Sequence, residues 1–281
     1  MPENYDFETP RVIEELKKLG AKSALLQFPE GLKQQAPVVM DELKKQGIEP
    51  VLSADPCYGA CDFKSMKECG ATVHYGHAPL RGMKAKNAIF VECGSGIDII
   101  PALESAMPLL IEYKNKKQKI GLITTSQHIK KLEGVKPFLK QRGITAVIGK
   151  KGPRAEHNGQ VLGCDAGSAE SIAGEVGAFL FIGSGRFHPL FAAYKTGKPV
   201  IIANPYSNSV DMATAHEWKK ESLLRIESAG AAKTFGAVVS TKPGQKNWER
   251  AEELAKKGGA YLIAVENITP EVLDYLPFDA Y

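Results

Sequence analysis

The feature that most constrains the fold is an order of apolar strand, amphipathic helix and second strand that recurs along the chain. In the first copy, the apolar run at 23–28 precedes a helical pattern from Leu32 to Leu43, and a second strand is expected at 49–54. Two further apolar runs, at 71–75 and 88–92, complete this copy. Strands that alternate with helices predict parallel sheets with right-handed crossovers, and the continuous apolar runs are typical of strands buried on both faces.

The second copy repeats this order. A strand at 119–125 precedes a helical pattern that carries Ile129, Leu132, Val135 and Leu139, and the next strand is expected at 144–148. Apolar runs at 178–182 and 199–203 complete the unit. The repetition favours several related α/β domains over one large sheet.

A third, shorter copy comprises a strand at 234–240, a helix at 246–257 and a strand at 261–265. We therefore predict an α/β fold in which three small, repeated parallel-sheet domains surround a central site. The predicted domain ranges are 1–98, 99–205 and 206–281, the last of them truncated at its C-terminal end.

The composition limits the classes of protein to which this chain could belong. The 281 residues are 43% hydrophobic and 24% charged, and the net charge is +4. The first residues lack the pattern of a secretory signal, and no apolar stretch reaches the ~18 residues that span a bilayer. We expect a cytoplasmic protein that does not bind a membrane. The densest basic run, 114–119, is interpreted as a solvated linker, so no direct nucleic-acid binding is predicted.

Five cysteines are present, an odd number that argues against a disulfide framework in a cytoplasmic chain. Cys61 and Cys164 both fall in the loop after the second strand of their copy. Ligands of parallel sheets gather at the carboxyl ends of strands, so these two thiols are expected near one shared site. The same offsets from the first strand in the third copy give positions 272–279, close to Tyr281, and we expect a third thiolate just beyond Tyr281.

Three thiolates could hold a 4Fe–4S cluster with one iron open to a ligand, because thiolates are soft anionic donors. Two alternatives stay open. Cys61 and Cys164 could be buried structural thiols, as Cys69 and Cys93 are interpreted to be. A zinc site could instead be formed by Cys57, Cys61, Cys69 and either His74 or His77; we otherwise interpret the two histidines as structural.

A glycine-rich segment at 183–189 follows a buried strand and precedes a helix. Small residues let the backbone approach a ligand, and the N–H groups of a helix start favour a carboxylate or phosphate. A plain strand-to-helix turn is the alternative. Segments 28–32 and 241–245 occupy equivalent places in the other copies, and all three segments are candidates to line one cleft.

Several segments together resemble the Dph1/Dph2 family, specifically its single-subunit archaeal-type diphthamide synthase, a 2-(3-amino-3-carboxypropyl)histidine synthase. The matching segments are 28–32, 58–62, 74–77, 125–128, 159–164, 181–189 and 242–245. They follow one another in order across nearly the whole chain, which makes the set more specific than any one motif.

The resemblance implies a homodimer and a 4Fe–4S cluster whose first two ligands are Cys61 and Cys164. It implies transfer of the 3-amino-3-carboxypropyl group of S-adenosylmethionine, by a radical mechanism, to imidazole C2 of a histidine of translation elongation factor 2. This is the first step of diphthamide biosynthesis, and it requires an electron donor. No catalytic residue is assigned beyond the cluster. The candidate S-adenosylmethionine-binding residues are Glu30, Gly31, Gly183, Ser184, Gly185, Phe187, His188 and Gln245.

Two other functions fit the same features. A dehydratase similar to quinolinate synthase also has three related domains around a three-cysteine cluster, and it would be indifferent to S-adenosylmethionine. A non-catalytic iron–sulfur subunit would pass electrons to a catalytic partner. Both ligand cysteines and the glycine-rich loops are present, and this favours the enzyme.

Overall fold

The computed structural model describes residues 5–242 and 245–281. The chain divides into two compact units, Met1–Trp218 and Lys219–Tyr281. The α-helices are α1 Thr9–Lys18, α2 Ala36–Lys45, α3 Ile100–Asn115, α4 Leu132–Gln141, α5 Gly167–Glu170, α6 Phe187–Thr196, α7 Ala215–Ala229, α8 Trp248–Gly258 and α9 Pro270–Asp274. The strands are β1 Ser23–Gln27, β2 Glu49–Leu52, β3 Ala71–Tyr75, β4 Ala88–Val91, β5 Lys119–Thr124, β6 Ala146–Ile148, β7 Val176–Ile182, β8 Val200–Asn204, β9 Ser209–Ala213, β10 Gly236–Ser240 and β11 Tyr261–Val265. Short 3₁₀ turns span Glu30–Gln35, Ala60–Asp62 and Ser126–Lys131.

The first sheet has the strand order β2-β1-β3-β4, and every neighbouring pair is parallel. All five residues of β3 are buried, which confirms that the centre of this sheet is covered on both faces. Val12 and Leu16 of α1 pack with Val39 and Leu43 of α2 in the same apolar cluster. This cluster fixes the ends of β1 and β3, where the first candidate residues lie.

The second sheet has the order β6-β5-β7-β8-β9. Its first four strands are parallel and follow the same order as the strands of the first sheet, so the two predicted copies share one topology. Both copies also place a 3₁₀ turn between the first strand and its helix, at Glu30–Gln35 and Ser126–Lys131. The predicted α/β architecture with parallel sheets is therefore confirmed here.

The antiparallel strand β9 is an addition that the sequence pattern did not predict. It lies at the sheet edge and alternates between exposed and more buried residues, so it lacks the continuous apolar run of a central strand such as β7. The chain reverses between β8 and β9 through Asn208, whose φ is 52°, a left-handed conformation that asparagine tolerates. Helices α1 and α3 were likewise not predicted.

The second unit contains the two parallel strands β10 and β11, with α8 between them along the chain. Ala251 and Ala255 are the buried face of α8. A parallel bridge joins Phe235 to Ala280. The predicted strand–helix–strand order of the third copy is present, while the division of the whole chain into three domains stays a prediction.

In the described part of the chain, no helix is both long enough and apolar enough to cross a bilayer.

Candidate functional site

The first cysteine loop, residues 53–62, connects β2 to the 3₁₀ turn that carries Cys61. Asp62 is buried, and its Oδ2 accepts hydrogen bonds from the backbone N–H groups of Tyr58 at 2.7 Å and Gly59 at 3.1 Å. A buried carboxylate that accepts two amide N–H groups holds the loop in one conformation, because breaking either bond leaves a buried polar group unsatisfied. Cys61, the neighbouring residue, is only half-buried.

Lys33 ties this loop to the 3₁₀ turn after β1. Its Nζ donates to the carbonyl oxygens of Ala54 at 3.1 Å and Asp55 at 2.9 Å, and it pairs with the Glu30 carboxylate at 2.6 Å. Glu30 and Gly31 are both exposed. The structure thus brings these two predicted site residues beside the first cysteine loop.

The second cysteine loop, residues 149–166, repeats the arrangement. Asp165 is buried; its Oδ2 accepts from the N–H groups of Arg154 at 2.7 Å and Ala155 at 3.0 Å, and its Oδ1 accepts from Gly167 at 2.8 Å. The preceding residue, Cys164, is exposed. Each predicted ligand cysteine is therefore followed by a buried aspartate that fixes the backbone around it.

The glycine-rich loop after β7 packs on the second cysteine loop. A Cβ on Gly163 would lie 2.3 Å from the Phe187 ring, so the second cysteine loop packs directly on Phe187. The adjacent His188 is close enough to His77 for its charge to act on the pKa of that ring, and the His77 ring is hydrogen-bonded to the Tyr58 backbone. The start of α6 therefore contacts the second cysteine loop, and His188 influences His77, whose ring is bonded to the first cysteine loop; a shared site for Cys61 and Cys164 stays a prediction.

Glycine is required at two positions of this loop. Gly183 has a φ of 151°, and a Cβ there would lie 2.9 Å from the Phe181 ring; Gly185 has a φ of 76°. Side chains rarely adopt these conformations. Ser184, Gly185 and Phe187 are exposed at the start of α6, where backbone N–H groups lack helical partners.

The loop is anchored by Arg186, which forms ion pairs with Asp211 of β9 and Glu217 of α7. His188 is half-buried, and burial lowers its pKa to about 4, so the ring is neutral near pH 7. The start of α6 therefore offers backbone donors and a neutral imidazole.

Cys57, His74 and His77 converge at the carboxyl end of β3. His74 Nε2 lies 3.9 Å from Cys57 Sγ and 3.1 Å from His77 Nδ1. The potential ligand atoms of the three side chains all lie within 4.8 Å of one another. The alternative zinc set also contained Cys61 and Cys69, and neither joins this group. Cys69 precedes β3 in the chain, whereas the histidines lie at its opposite end.

His128, another residue of the resembling motifs, is buried after β5. Its Nε2 lies 3.4 Å from the Tyr206 hydroxyl, which in turn lies 2.7 Å from the Tyr5 hydroxyl. Burial, followed by the charge of Lys131, lowers the pKa of His128 to about 4. Its Nδ1 has no hydrogen-bond partner among the described residues.

Gln245 lies in the second unit and is exposed. Two residues of its predicted loop, Pro243 and Gly244, lie outside the described residues. The placement of Gln245 in a shared site with the loops of the first unit stays a prediction.

Sequence reasoning missed the residues that position the thiols, namely Asp62, Asp165 and Lys33. A signal for the aspartates was present, since Cys-Asp occurs at both loops and at no other cysteine. Lys33 had no such signal, because its role depends on the loop that folds over it.

Comparison with known proteins identifies the family. A family profile for diphthamide synthesis proteins matches residues 28–281. The 2-(3-amino-3-carboxypropyl)histidine synthase of Pyrococcus horikoshii is 34% identical over 99% of this chain and 82% of its own length. Subunit 1 of the synthase from Encephalitozoon cuniculi is 30% identical over 99% of this chain and 80% of its own length.

The fold agrees with that relationship. A crystal structure of Dph2 from Pyrococcus horikoshii with a 4Fe-4S cluster superposes with a TM-score of 0.88 at 33% identity, covering 99% of this chain and 83% of that one. The resemblance seen in the sequence motifs is thereby confirmed. The chain belongs to the diphthamide synthesis protein family, whose members include the 2-(3-amino-3-carboxypropyl)histidine synthases.

Proposed function

We propose that this protein transfers the 3-amino-3-carboxypropyl group of S-adenosylmethionine to imidazole C2 of a histidine of translation elongation factor 2. The single observation that carries the proposal is the pair of equivalent cysteine loops, each with a buried aspartate. They occur in a chain similar to a Dph2 protein whose crystal structure contains a 4Fe-4S cluster. This activity is the first step of diphthamide biosynthesis.

The residues present fit an iron–sulfur cluster. Cys164 is exposed and Cys61 is half-buried, so both sulfurs are accessible, and their backbones are held by Asp165 and Asp62. Soft thiolates on well-ordered loops suit such a cluster. Cys61 and Cys164 would supply two of its ligands.

When bound and reduced, the cluster would supply the electron that cleaves the bond between the sulfur and the methionyl γ-carbon of S-adenosylmethionine. The chain would bind and orient the methionyl group. The backbone N–H groups at the start of α6, around Gly185 and Phe187, are suited to its carboxylate. Exposed Glu30 could pair with its ammonium group, and Gly31, Gly183, Ser184 and Gln245 complete the proposed contacts.

The side chains around this loop would exclude water from the reacting carbon. Phe187 is 62% exposed and lies beside a candidate ligand loop. We propose that S-adenosylmethionine covers it. The neutral, half-buried imidazole of His188 would sit beside the methionyl group without adding positive charge.

The proposed partners are elongation factor 2 as substrate, an electron donor and a second copy of this chain in a homodimer. The proposed location is the cytoplasm. A dimer would be compatible with the synthase subunits named in eukaryotic relatives, such as that of Encephalitozoon cuniculi.

The test is an anaerobic assay with the full-length native chain. The protein is reconstituted with iron and sulfide, then mixed with dithionite, S-adenosylmethionine and elongation factor 2, and the factor is weighed by mass spectrometry. We expect the gain of one 3-amino-3-carboxypropyl group, lost in Cys61→Ala and Cys164→Ala. Cys69→Ala, a half-buried cysteine before β3, is the matched control and should retain activity.

Two outcomes would contradict the proposal. If a reducible cluster forms but elongation factor 2 gains no mass, the protein is an electron-transfer subunit or acts on another substrate. If Cys61→Ala and Cys164→Ala both retain the iron content and activity of the parent, the assignment of these two ligands is wrong.

A further inference from the structure

The Cys57–His74–His77 cluster is separate from the proposed cluster ligands, and its geometry points to a metal ion of its own. In a tetrahedral zinc site, Zn–N distances of about 2.0–2.1 Å and a Zn–S distance of about 2.3 Å place two nitrogens roughly 3.4 Å apart and a nitrogen and sulfur roughly 3.6 Å apart. The separations here are 3.1 Å between the two ring nitrogens and 3.9 Å between His74 Nε2 and Cys57 Sγ. Both printed separations lie within about 0.3 Å of ligand spacing, and the third, between Cys57 Sγ and the His77 ring, is no more than 4.8 Å.

The protonation of His74 is determined by Gln27. The Gln27 Nε2 donates to the Asp62 carbonyl at 3.1 Å, and its Oε1 accepts from the Lys64 N–H at 3.0 Å, so the amide has one orientation. That Oε1 faces His74 Nδ1 at 3.4 Å, and the ring nitrogen must therefore carry the proton. His74 Nε2 is therefore unprotonated, and its lone pair is directed at Cys57 and His77.

This arrangement is the one that metal-binding histidines use. Such a histidine donates from its second ring nitrogen to an oxygen acceptor, which fixes the tautomer and the ring orientation. Gln27 occupies that position for His74. The ring also packs beside Phe90, at a centroid distance of 5.2 Å, and Phe63, at 6.3 Å, which form an apolar surround.

The charge beside the cluster also suits a cation. The buried Asp62 carboxylate acts electrostatically on both the His74 and the His77 ring. An incoming divalent ion would be attracted by that negative charge.

A hydrogen bond between the two imidazoles explains only part of the geometry. His77 Nδ1 could donate to His74 Nε2 at 3.1 Å, but a single lone pair cannot also accept a second good hydrogen bond from the Cys57 thiol. The Cys57 sulfur nevertheless lies 3.9 Å from the same nitrogen, His74 Nε2. One ion that binds all three atoms accounts for the convergence.

We propose that Cys57, His74 and His77 bind one divalent ion of the zinc class, with a fourth position open to water on the side of half-buried His77. Binding forms one metal–sulfur bond and two metal–nitrogen bonds, and the Cys57 thiol releases its proton to solvent. The ion would attach the first cysteine loop to the end of β3, four residues before Cys61.

The experiment uses the full chain in the Cys61→Ala/Cys164→Ala double variant, so that no iron–sulfur cluster can form at those thiols. The metal-depleted protein is titrated anaerobically with Co²⁺, and the sulfur-to-cobalt charge-transfer absorption is recorded. Zn²⁺ is then added as a competitor. We expect one equivalent of Co²⁺ to produce the thiolate band and one equivalent of Zn²⁺ to remove it.

Variants distinguish the three ligands from bystanders. Adding Cys57→Ala should abolish the charge-transfer band, and adding His77→Gln should lower Co²⁺ affinity by more than tenfold. Gln27→Leu should keep the band but weaken affinity roughly 10–100-fold, as loss of a second-sphere partner does. Cys69→Ala and His157→Gln are the matched controls and should leave the titration unchanged.

Absence of stoichiometric Co²⁺ binding would overturn the proposal, as would a thiolate band that persists in Cys57→Ala. Circular dichroism identifies any variant that fails to fold. If Cys57→Ala fails to fold, the substitution at half-buried His77 serves as the second test of the ligands. The titration needs neither S-adenosylmethionine nor elongation factor 2. A negative titration would therefore refute the metal site without contradicting the proposed function.

Discussion

Asp165→Asn is the substitution that most directly tests how the second cysteine loop is held. The carboxylate accepts three backbone hydrogen bonds: two at Oδ2, from Arg154 and Ala155, and one at Oδ1, from Gly167. Asparagine has one acceptor oxygen. Its best orientation keeps the oxygen at the Oδ2 position and turns the NH₂ group toward the Gly167 N–H, leaving that donor unsatisfied.

The expected cost follows from this count. A buried donor without an acceptor costs about 1–3 kcal/mol, and the two remaining bonds lose the extra strength of a charged acceptor. We expect the free energy of unfolding to fall by about 2–4 kcal/mol. Asp98→Asn is the control, because exposed Asp98 accepts a single bond, from the Ile100 N–H, that asparagine can keep. It should change the free energy by less than ~0.5 kcal/mol.

The assay is urea unfolding of the reduced, metal-depleted chain, followed by circular dichroism, with the midpoint and the slope both measured. Hydrogen exchange at the Gly167 amide gives a local readout, and its exchange should accelerate in Asp165→Asn only. If Asp165→Asn unfolds at the same urea concentration as Asp98→Asn, the carboxylate does not hold the loop and the argument is refuted.

Three further predictions concern the same unit. Gly152→Ala should lower the free energy of unfolding by about 2 kcal/mol or more in the same urea assay, because its Cβ would lie 2.0 Å from Asp165 Oδ1; Gly31→Ala, where nothing lies within 4 Å, should not. His128 has a pKa lowered to about 4 in the folded state against an ordinary value of 6.5, so the stability due to its neutral form is present above pH 6.5 and is lost as the pH falls from 6.5 to 4. Between pH 7 and pH 4, the free energy of unfolding measured in urea should therefore fall by about 3 kcal/mol less in His128→Gln than in the parent. Exposed His216→Gln should match the parent. Lys33→Met should speed limited proteolysis within 53–59 several-fold because it removes two bonds to that loop, whereas Lys45→Met, which removes only an exposed pair with Glu42, should leave the rate unchanged.

The parallel sheets could be predicted because their central strands carry continuous apolar runs. Residues 71–75 and 178–182 are buried throughout; 178–182 is uniformly apolar, whereas 71–75 includes Thr72 and His74 and was predicted from its place in the repeat. The edge strand β9 lacked that signal, since exposure at the edge permits polar residues. Helix α1 was missed although Val12 and Leu16 lie one helical turn apart, because a single buried pair is a weak pattern.

The sequence pattern proposed the thiols and glycines of the candidate site but gave no indication of what positions them. Cys61 and Cys164 could be paired through the repeat, since equivalent strands place equivalent loops at one edge. The convergence of Cys57 with His74 and His77 was recognised only as one of several zinc sets, because spacing along the chain does not give separation across a sheet. Gln27, at the end of the neighbouring strand β1, gave no signal at all; parallel pairing sets Gln27 opposite His74, and only the fold provides that register.

The two proposed cluster ligands differ from Cys57 in their surroundings. Cys61 and Cys164 each precede a buried aspartate. Because that aspartate points into the protein to accept backbone hydrogen bonds, the cysteine before it lies on the outer side of the loop. Cys164 is exposed and Cys61 is half-buried, which suits the proposed iron–sulfur cluster. Cys57 is 3% exposed and faces two neutral imidazoles, and burial raises its pKa to about 12, so its thiol stays protonated unless a cation displaces the proton. Because the two sites share one loop, an ion at Cys57 would stiffen the backbone that presents Cys61. The first cysteine loop would then be held at three places: by Lys33, by Asp62 and by the ion.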